Sequence, residues 1–138
     1  MSRLRVVFPD PLVVALGILR AEPSATYGGS VKFGTVFPED RPASAQGLPY
    51  VRLSVDSRAG FYPVTSTASL RVQVWASTEA KAATLAERLR AVLLSHPGDA
   101  NSRGCSEGVG PLPATDPDIS DSTFSYFTAA LRLRPIPL

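Results

Sequence analysis

The stretch LRVQVWASTEAKAATLAERLRAVLLSH, residues 70–96, predicts a β-strand that runs directly into an amphipathic helix. Its first part alternates apolar and other residues with the period of two of a strand that has one buried face. The apolar set is Leu70, Val72, Val74 and Ala76, and the alternate set is Arg71, Gln73 and Trp75. Ser77 or Thr78 can cap the helix, which then carries one apolar stripe: Ala82, Leu85, Ala86, Leu89, Val92 and Leu93. We expect this βα unit to hold the core, with Pro97 and Gly98 ending the helix.

Residues before this unit predict a first helix and two strands. Asp10 and Pro11 are a favourable helix start, and the helix should run from Pro11 to about Arg20. Leu12, Ala15, Leu16 and Leu19 share one face of it, while Val13 and Val14 add apolar surface that would suit cover on more than one side. Strands are expected over 31–37 and 49–57.

The connection over residues 58–68 is too short and irregular for a helix, so it predicts that the strand before it and the strand after it are antiparallel neighbours. Its length places Phe61 and Tyr62 at an extended tip. Exposed aromatic side chains at such a tip favour contact with another molecule. The alternative is that both rings fold back to cover the core.

The remainder of the chain predicts a loop and a last strand. Residues 97–122 are rich in Gly, Pro, Asp and Ser, and we expect a flexible loop with a short strand around 107–112. The last strand should span 123–134. The whole chain is then one domain, residues 1–138, with residues 1–9 as an N-terminal arm. Its fold class is α+β, an antiparallel or mixed sheet of four or five strands with two helices on one face, in the order α-β-β-β-α-(β)-β.

Composition excludes several classes of function. The net charge is only +2, which is too small to argue for nucleic acid or an acidic membrane surface. Cys105 is the single cysteine, so an internal disulfide is impossible and a cysteine-based metal site is not expected. The apolar run from Leu12 to Leu19 is far short of the roughly 20 residues of a membrane span, and no signal-peptide pattern follows the start. A cytosolic protein is the simplest expectation from composition alone.

Few residues offer chemistry. His96, the only histidine, stands at the end of the second helix, where an interaction with the helix carbonyls is favourable. Cys105 has no obvious activating partner and is expected to be an inert thiol. Asp116, Asp118 and Asp121 have loose calcium-ligand spacing but lack the required glycine and glutamate. We therefore predict no enzyme, no metal site and no cofactor.

The side chains opposite the apolar faces of the strands form the candidate interaction site. Tryptophan and arginine are enriched at binding hot spots, which makes this composition typical of a subunit or partner interface. The alternative is a solvated sheet face whose long side chains shield one another; nucleic acid is disfavoured by Asp56 and the small net charge. With the residues of the 58–68 connection, the predicted contact set is Arg52, Arg58, Phe61, Tyr62, Arg71, Gln73, Trp75, Arg132 and Arg134.

Three segments resemble the tail terminator (tail completion) proteins of long-tailed, non-contractile bacteriophages, especially those of actinobacterial hosts. They are LPYVRLSVDSRAG, VWASTEAKAATLAERLRAVL and GPLPATDPDISDSTFSYFTAALRLRP, and the similarity runs from about Asp10 to Pro135. The most characteristic positions are Pro49-Tyr50-Val51, Ala80 with Ala83, and Asp116-Pro117-Asp118. None of these is a catalytic signature, so the resemblance rests on the sequence pattern of the segments and on their order along the chain.

The resemblance implies a virion subunit that assembles as a hexameric ring on the head-proximal end of the tail tube. Such a ring stops tube growth and binds the head-tail connector or stopper protein, while DNA passes through the lumen without being read. Loops 38–48 and 58–68 are the expected contact segments. The charge layout separately suggests that acidic positions at Glu39-Asp40 and 116–121 and the basic sheet face are the unlike surfaces that ring contacts need. Two rivals stay open: another neck component, such as an adaptor or stopper, and a small-ligand-binding α/β domain unrelated to phage.

Overall fold

The computed structural model describes residues 5–22, 31–36, 49–115 and 123–138. Their elements are β1 (Val6–Val7), α1 (Pro11–Arg20), β2 (Lys32–Gly34), β3 (Tyr50–Phe61), β4 (Thr65–Trp75), α2 (Glu79–Ser95), β5 (Ser102–Glu107), β6 (Leu112–Thr115), β7 (Thr123–Leu133) and β8 (Ile136–Pro137). The main sheet has the order β2-β3-β4-β7-β5, and β6 also pairs with β7. Strand β2 is parallel to β3, and the other pairs are antiparallel. The predicted α+β class, with a mixed sheet and two helices, is confirmed.

The central βα unit forms as its sequence predicts. Thr78 is the N-cap of α2, and its hydroxyl accepts a hydrogen bond from the backbone N–H of Lys81 at 3.1 Å. The helix ends at Ser95, and His96 takes an extended conformation before Pro97. Both helices pack on one face of the sheet, and their buried residues share one core with the strands. Its largest fully buried members are Phe127, Leu19, Leu53, Leu70, Leu85, Leu89, Leu93, Leu131, Leu133, Val51 and Val72.

The first helix also begins as predicted, because the Asp10 carboxylate accepts from the backbone N–H of Leu12 at 2.9 Å. Its buried side differs from the predicted one. Val14 and Ile18 are buried in the core, whereas Leu12 and Leu16 are only half-buried. The helix is rotated about its axis relative to the expected face, since almost every position on it is apolar and the pattern defines no single stripe.

Strands β3 and β4 are antiparallel neighbours, as predicted, but their hairpin is longer than the sequence suggested. The ladder continues to the pair Phe61–Thr65, so most of segment 58–68 is strand and only 62–64 form the turn. The register shifts by one residue between Val55 and Ser57, which marks a β-bulge. Thr65 and Thr67 at the start of β4 are polar but β-branched, and β-branched residues favour strands, which suits the extension.

The segment after α2 differs from the single short strand expected at 107–112. Two strands, β5 and β6, flank residues 108–111 and pair with successive parts of β7. Gly110 has φ +89° and a Cβ there would lie 2.5 Å from the Tyr126 carbonyl oxygen, while Pro111 lacks a backbone donor. These residues therefore break the edge strand at the place where the sequence pattern suggested its centre. Predicted features within 23–30, 37–48 and 116–122 lie outside the described residues.

The two ends of the described chain pair with each other. Val6 is opposite Pro137 and Val7 is opposite Ile136, and the Leu138 N–H donates to the Arg5 carbonyl at 3.1 Å. Val6 is buried. The described part of the predicted N-terminal arm is therefore fastened to this domain by a two-stranded sheet.

Candidate interaction surface

The sheet face opposite the helices, called the outer face below, consists of side chains in rows across β3, β4 and β7. The first row is Tyr50, Trp75 and Phe124; the second is Arg52, Gln73 and Tyr126; the third is Ser54, Arg71 and Thr128. The sequence alternation therefore places Arg52, Arg71, Gln73 and Trp75 on the same face, as predicted. Their exposure, however, differs from row to row.

The aromatic first row is buried at Trp75 and Phe124 and half-buried at Tyr50, which corrects the expectation that Trp75 is an accessible contact residue. Trp75 is only 1% exposed, and its ring lies 4.9 Å from Phe124 and 6.4 Å from Tyr50, centroid to centroid. The Tyr50 hydroxyl donates to the Val36 carbonyl at 2.9 Å. Burial raises the pKa of Tyr50, with the Arg52 charge and that hydrogen bond acting in the opposite direction. Trp75 therefore packs within the subunit.

The second row contains a polar pair that is also withdrawn from solvent. Gln73 is 6% exposed, and its side-chain oxygen accepts from Nη1 of Arg52 at 2.6 Å. Gln73, predicted as a contact residue, is therefore not accessible in the subunit. Arg52 on β3 and Tyr126 on β7 lie beside it in the same row.

The third row is the accessible part of the predicted set. Arg71 Nε lies 3.0 Å from the Asp56 carboxylate, with the two side chains 44% and 37% exposed. The Arg71 guanidinium also lies 5.6 Å from the ring centroid of Tyr126. Asp56 is the residue at the β3 bulge, which explains how it reaches across to Arg71.

The two C-terminal arginines lie in different surroundings. Arg132 is exposed and faces Thr67 across β4 and β7. Arg134 follows the end of β7, and its Nε donates to the Ser102 carbonyl at 3.1 Å while its backbone N–H donates to Asn101 at 2.9 Å. Arg134 therefore fastens the loop before β5, and its predicted place on the sheet face is corrected.

The structure of the hairpin tip shows whether Phe61 and Tyr62 are exposed there or fold back to cover the core. Phe61 is 81% exposed and does not fold back on the core. The Tyr62 hydroxyl instead donates to the Val6 carbonyl at 2.9 Å and accepts from its N–H at 3.0 Å, and the Tyr62 ring is edge-on to Phe8. Arg58 donates to the Ser66 hydroxyl at 2.9 Å. The tip is thus an ordered, apolar and basic projection.

A groove between α1 and α2 was not identified from the sequence. It has a volume of about 1110 Å³. Apolar and small side chains form much of its wall, with polar groups around them: Val13, Val14, Gly17, Ile18, Ala21, Ala91, Val92, Asp10, Glu22, Arg88, Ser95, His96, Asp99 and Asn101. The one sequence signal that could have indicated it is the apolar surface that Val13 adds to α1.

His96, Asp99 and Cys105 each have contacts or burial typical of structural residues. His96 Nε2 lies 3.3 Å from Asp99 Oδ2, so the predicted contact of this ring with the helix carbonyls is replaced by one with a carboxylate. The pKa of Asp99 is lowered, first by the hydrogen bond from the Asn101 backbone N–H. The Ser102 backbone N–H and the His96 ring lower it further. Burial raises the pKa of the Cys105 thiol to about 11, which makes it a weak nucleophile. The described residues hold no group of three side chains suited to a metal ion.

No protein-family model matches this sequence, and no curated protein matches it significantly. Among solved structures, a chain of the virion of a native gene transfer agent particle has a similar fold, with a TM-score of 0.56. The alignment covers 88% of this chain and 90% of that chain, at 16% sequence identity. At that identity the likeness concerns the fold. None of the described helices has the length and apolar character needed to cross a lipid bilayer.

Proposed function

We propose that the chain is a structural, non-enzymatic virion protein, and that its role is that of a tail terminator. The observation that carries the proposal is the likeness of fold to a chain of the gene transfer agent virion, which extends over 88% of this chain. Because the two chains align over nearly their whole length, they share the arrangement of a complete domain and not only one common motif. The resemblance of three sequence segments to tail terminators supplies the finer role.

In this role, six copies form a ring on the head-proximal end of the tail tube of a long-tailed phage of an actinobacterial host. The ring stops tube growth and offers the surface that the connector or stopper protein binds. DNA passes through the lumen without base recognition. The protein is then part of the virion at the head-tail junction, after assembly in the host cytoplasm.

The contact residues in this proposal are the accessible members of the predicted set. Arg71 and Arg132 lie on the accessible parts of the outer face. The other accessible members lie on the hairpin tip: Arg58, Phe61 and Tyr62. Closed rings need heterologous contacts, in which one patch meets a different patch on the next copy. A subunit with an apolar, basic projection and separate acidic surfaces has the unlike patches that such contacts require.

The experiment is the mass of the purified protein by light scattering over a concentration series, with and without tail-tube protein. A ring of six copies, alone or on addition of the tube protein, supports the proposal. Co-purification with portal protein in place of tube protein would assign the chain to the adaptor or stopper class. A monomer that ignores both partners would overturn the proposal.

A further inference from the structure

Helix α1 has an apolar surface that the described part of its own subunit leaves uncovered. Val13 is 67% exposed, and Gly17, one turn further along the same side, has open space where a Cβ would be. A helix that is apolar on all sides is normally buried on all sides. Among the described residues, the core covers the side that carries Val14 and Leu19, and it partly covers Leu12 and Leu16.

This uncovered surface forms one wall of the α1/α2 groove described above, and Ala91 and Val92 stand on the opposite wall. The groove has room for several side chains. Its charged lining is mostly acidic, with Asp10, Glu22 and Asp99 against Arg88. An occupant that suits it is therefore apolar and carries positive charge.

The tip of the β3–β4 hairpin has this chemistry. Phe61 and Val64 are exposed there, and the bonds of Tyr62 to Val6 hold the turn in place without covering them. Arg58 is the only charged residue between positions 57 and 69. Because the turn is already ordered, docking it would cost little conformational entropy.

We propose that the α1/α2 groove of one copy receives the hairpin tip of the neighbouring copy. The inference rests on the ring assembly proposed above and names the pair of surfaces that builds it. Tip and groove are different patches present on each copy, so the contact is heterologous and propagates from copy to copy until the ring closes. Arg58 then lies near the acidic rim, which favours this orientation over a tip-to-tip contact.

Cysteine cross-linking tests the contact directly. Val64→Cys places a thiol on the tip, and Gly17→Cys places one in the groove, at a position with open space around it. Oxidation of the doubly substituted protein, with tail-tube protein present where the ring requires it, should give a ladder of covalent oligomers up to the ring. Mixing the two single variants should give cross-linked dimers of one copy of each, which an intramolecular bond cannot produce.

The matched control pairs Val64→Cys with Val109→Cys. Val109 is 54% exposed, like the tip valine, but lies on the turn between β5 and β6, away from the groove. This pair should give at least tenfold less cross-linked product. The native thiol of Cys105 is half-buried in β5 and should remain unmodified.

A substitution in the groove provides the second measurement. Val13→Asp puts a carboxylate into the apolar wall and next to the acidic rim, yet it lies in the first turn of α1, where the helix dipole favours an acidic residue. The variant should fold as stably as the parent and associate at least tenfold more weakly, whereas Val109→Asp should associate normally.

The outcomes separate this inference from the proposed function. A ring that forms without the Val64–Gly17 cross-link, and that Val13→Asp leaves intact, overturns the tip-in-groove contact and leaves the terminator proposal standing. Cross-linked copies that form no ring of six and do not bind tail-tube protein support the contact and overturn the terminator role. A protein that stays monomeric and uncrosslinked under all conditions overturns both.

Discussion

The two faces of the sheet are buried in different ways. On the helix-covered face, Leu53, Leu70, Val72 and Leu131 are all fully buried, and coverage falls only toward the hairpin, where Val55 and Ser66 are half-buried. On the outer face, coverage falls from the aromatic row at Trp75, through Gln73, to the accessible Arg71. Alternation in a sequence thus tells which side a residue is on. How far that side is covered depends on cross-strand neighbours that are distant in sequence.

The largest expected effect tests the aromatic row. Trp75→Ala should destabilise the protein by about 3–5 kcal/mol, because it removes a fully buried ring from between Tyr50 and Phe124. Denaturant unfolding at neutral pH measures the loss, with Val109→Ala, at an exposed turn position, as the control expected within about 0.5 kcal/mol. A loss below about 1 kcal/mol for Trp75→Ala would mean that the outer face is solvated throughout and has no buried row.

The second row should give an intermediate effect. Gln73→Ala removes the acceptor for Arg52 from a position closed to solvent, which should cost about 1–3 kcal/mol in the free energy of unfolding. Ser69→Ala, half-buried on the same face of β4, serves as the control and should cost less. If the two variants are equally mild, water reaches Arg52 and the coverage of the outer face ends after the first row.

The helix-covered half was predictable because its signals are local. The cap at Thr78, the stripe of α2 and the alternation of β4 each lie within a few residues and all favour the same structure. The face of α1 was mispredicted for a related reason. Where almost every position is apolar, the periodicity contains little information about which side faces the core.

The candidate site was less predictable because exposure is a tertiary property. Trp75 among arginines looked like an interface, yet its burial depends on Tyr50 and Phe124, which only the strand register brings beside it. The groove between α1 and α2 likewise exists only once the helices pack. Phe61 was assigned correctly to an exposed tip because a hairpin turn is again a local feature.

A smaller effect is expected at the loop that joins the helix layer to the sheet. The Asp99 carboxylate accepts from the backbone N–H groups of Asn101 at 2.8 Å and Ser102 at 2.9 Å. Asp99→Ala removes both bonds and should cost about 1 kcal/mol, a modest value because the site is open to solvent. Asp99→Asn keeps an acceptor oxygen and should cost less.

The pH dependence gives this prediction its sign. The folded-state pKa of Asp99 is lowered, so near that pKa the unfolded chain binds more protons than the folded one. The associated stability is present above the unfolded pKa of about 4 and is lost as the pH falls through the lower folded value. Unfolding curves between neutral pH and strongly acidic pH should therefore show a steeper loss for the parent than for Asp99→Asn. If the parent and Asp99→Asn lose stability in parallel as the pH falls, the charge of the Asp99 carboxylate does not stabilise the fold.

The smallest effect belongs to the accessible third row, and it is the sharpest test of the gradient on the outer face. A double-mutant cycle with Arg71→Gln and Asp56→Asn should give a coupling of about 0.2–1 kcal/mol, since both side chains remain partly in water. Added salt should reduce it, because exposed charges are screened. A coupling above about 2 kcal/mol that ignores salt would mean that this row is as enclosed as the first. Arg71 would then be a structural residue like Trp75, and the accessible surface proposed for contacts would shrink to Arg132 and the hairpin tip.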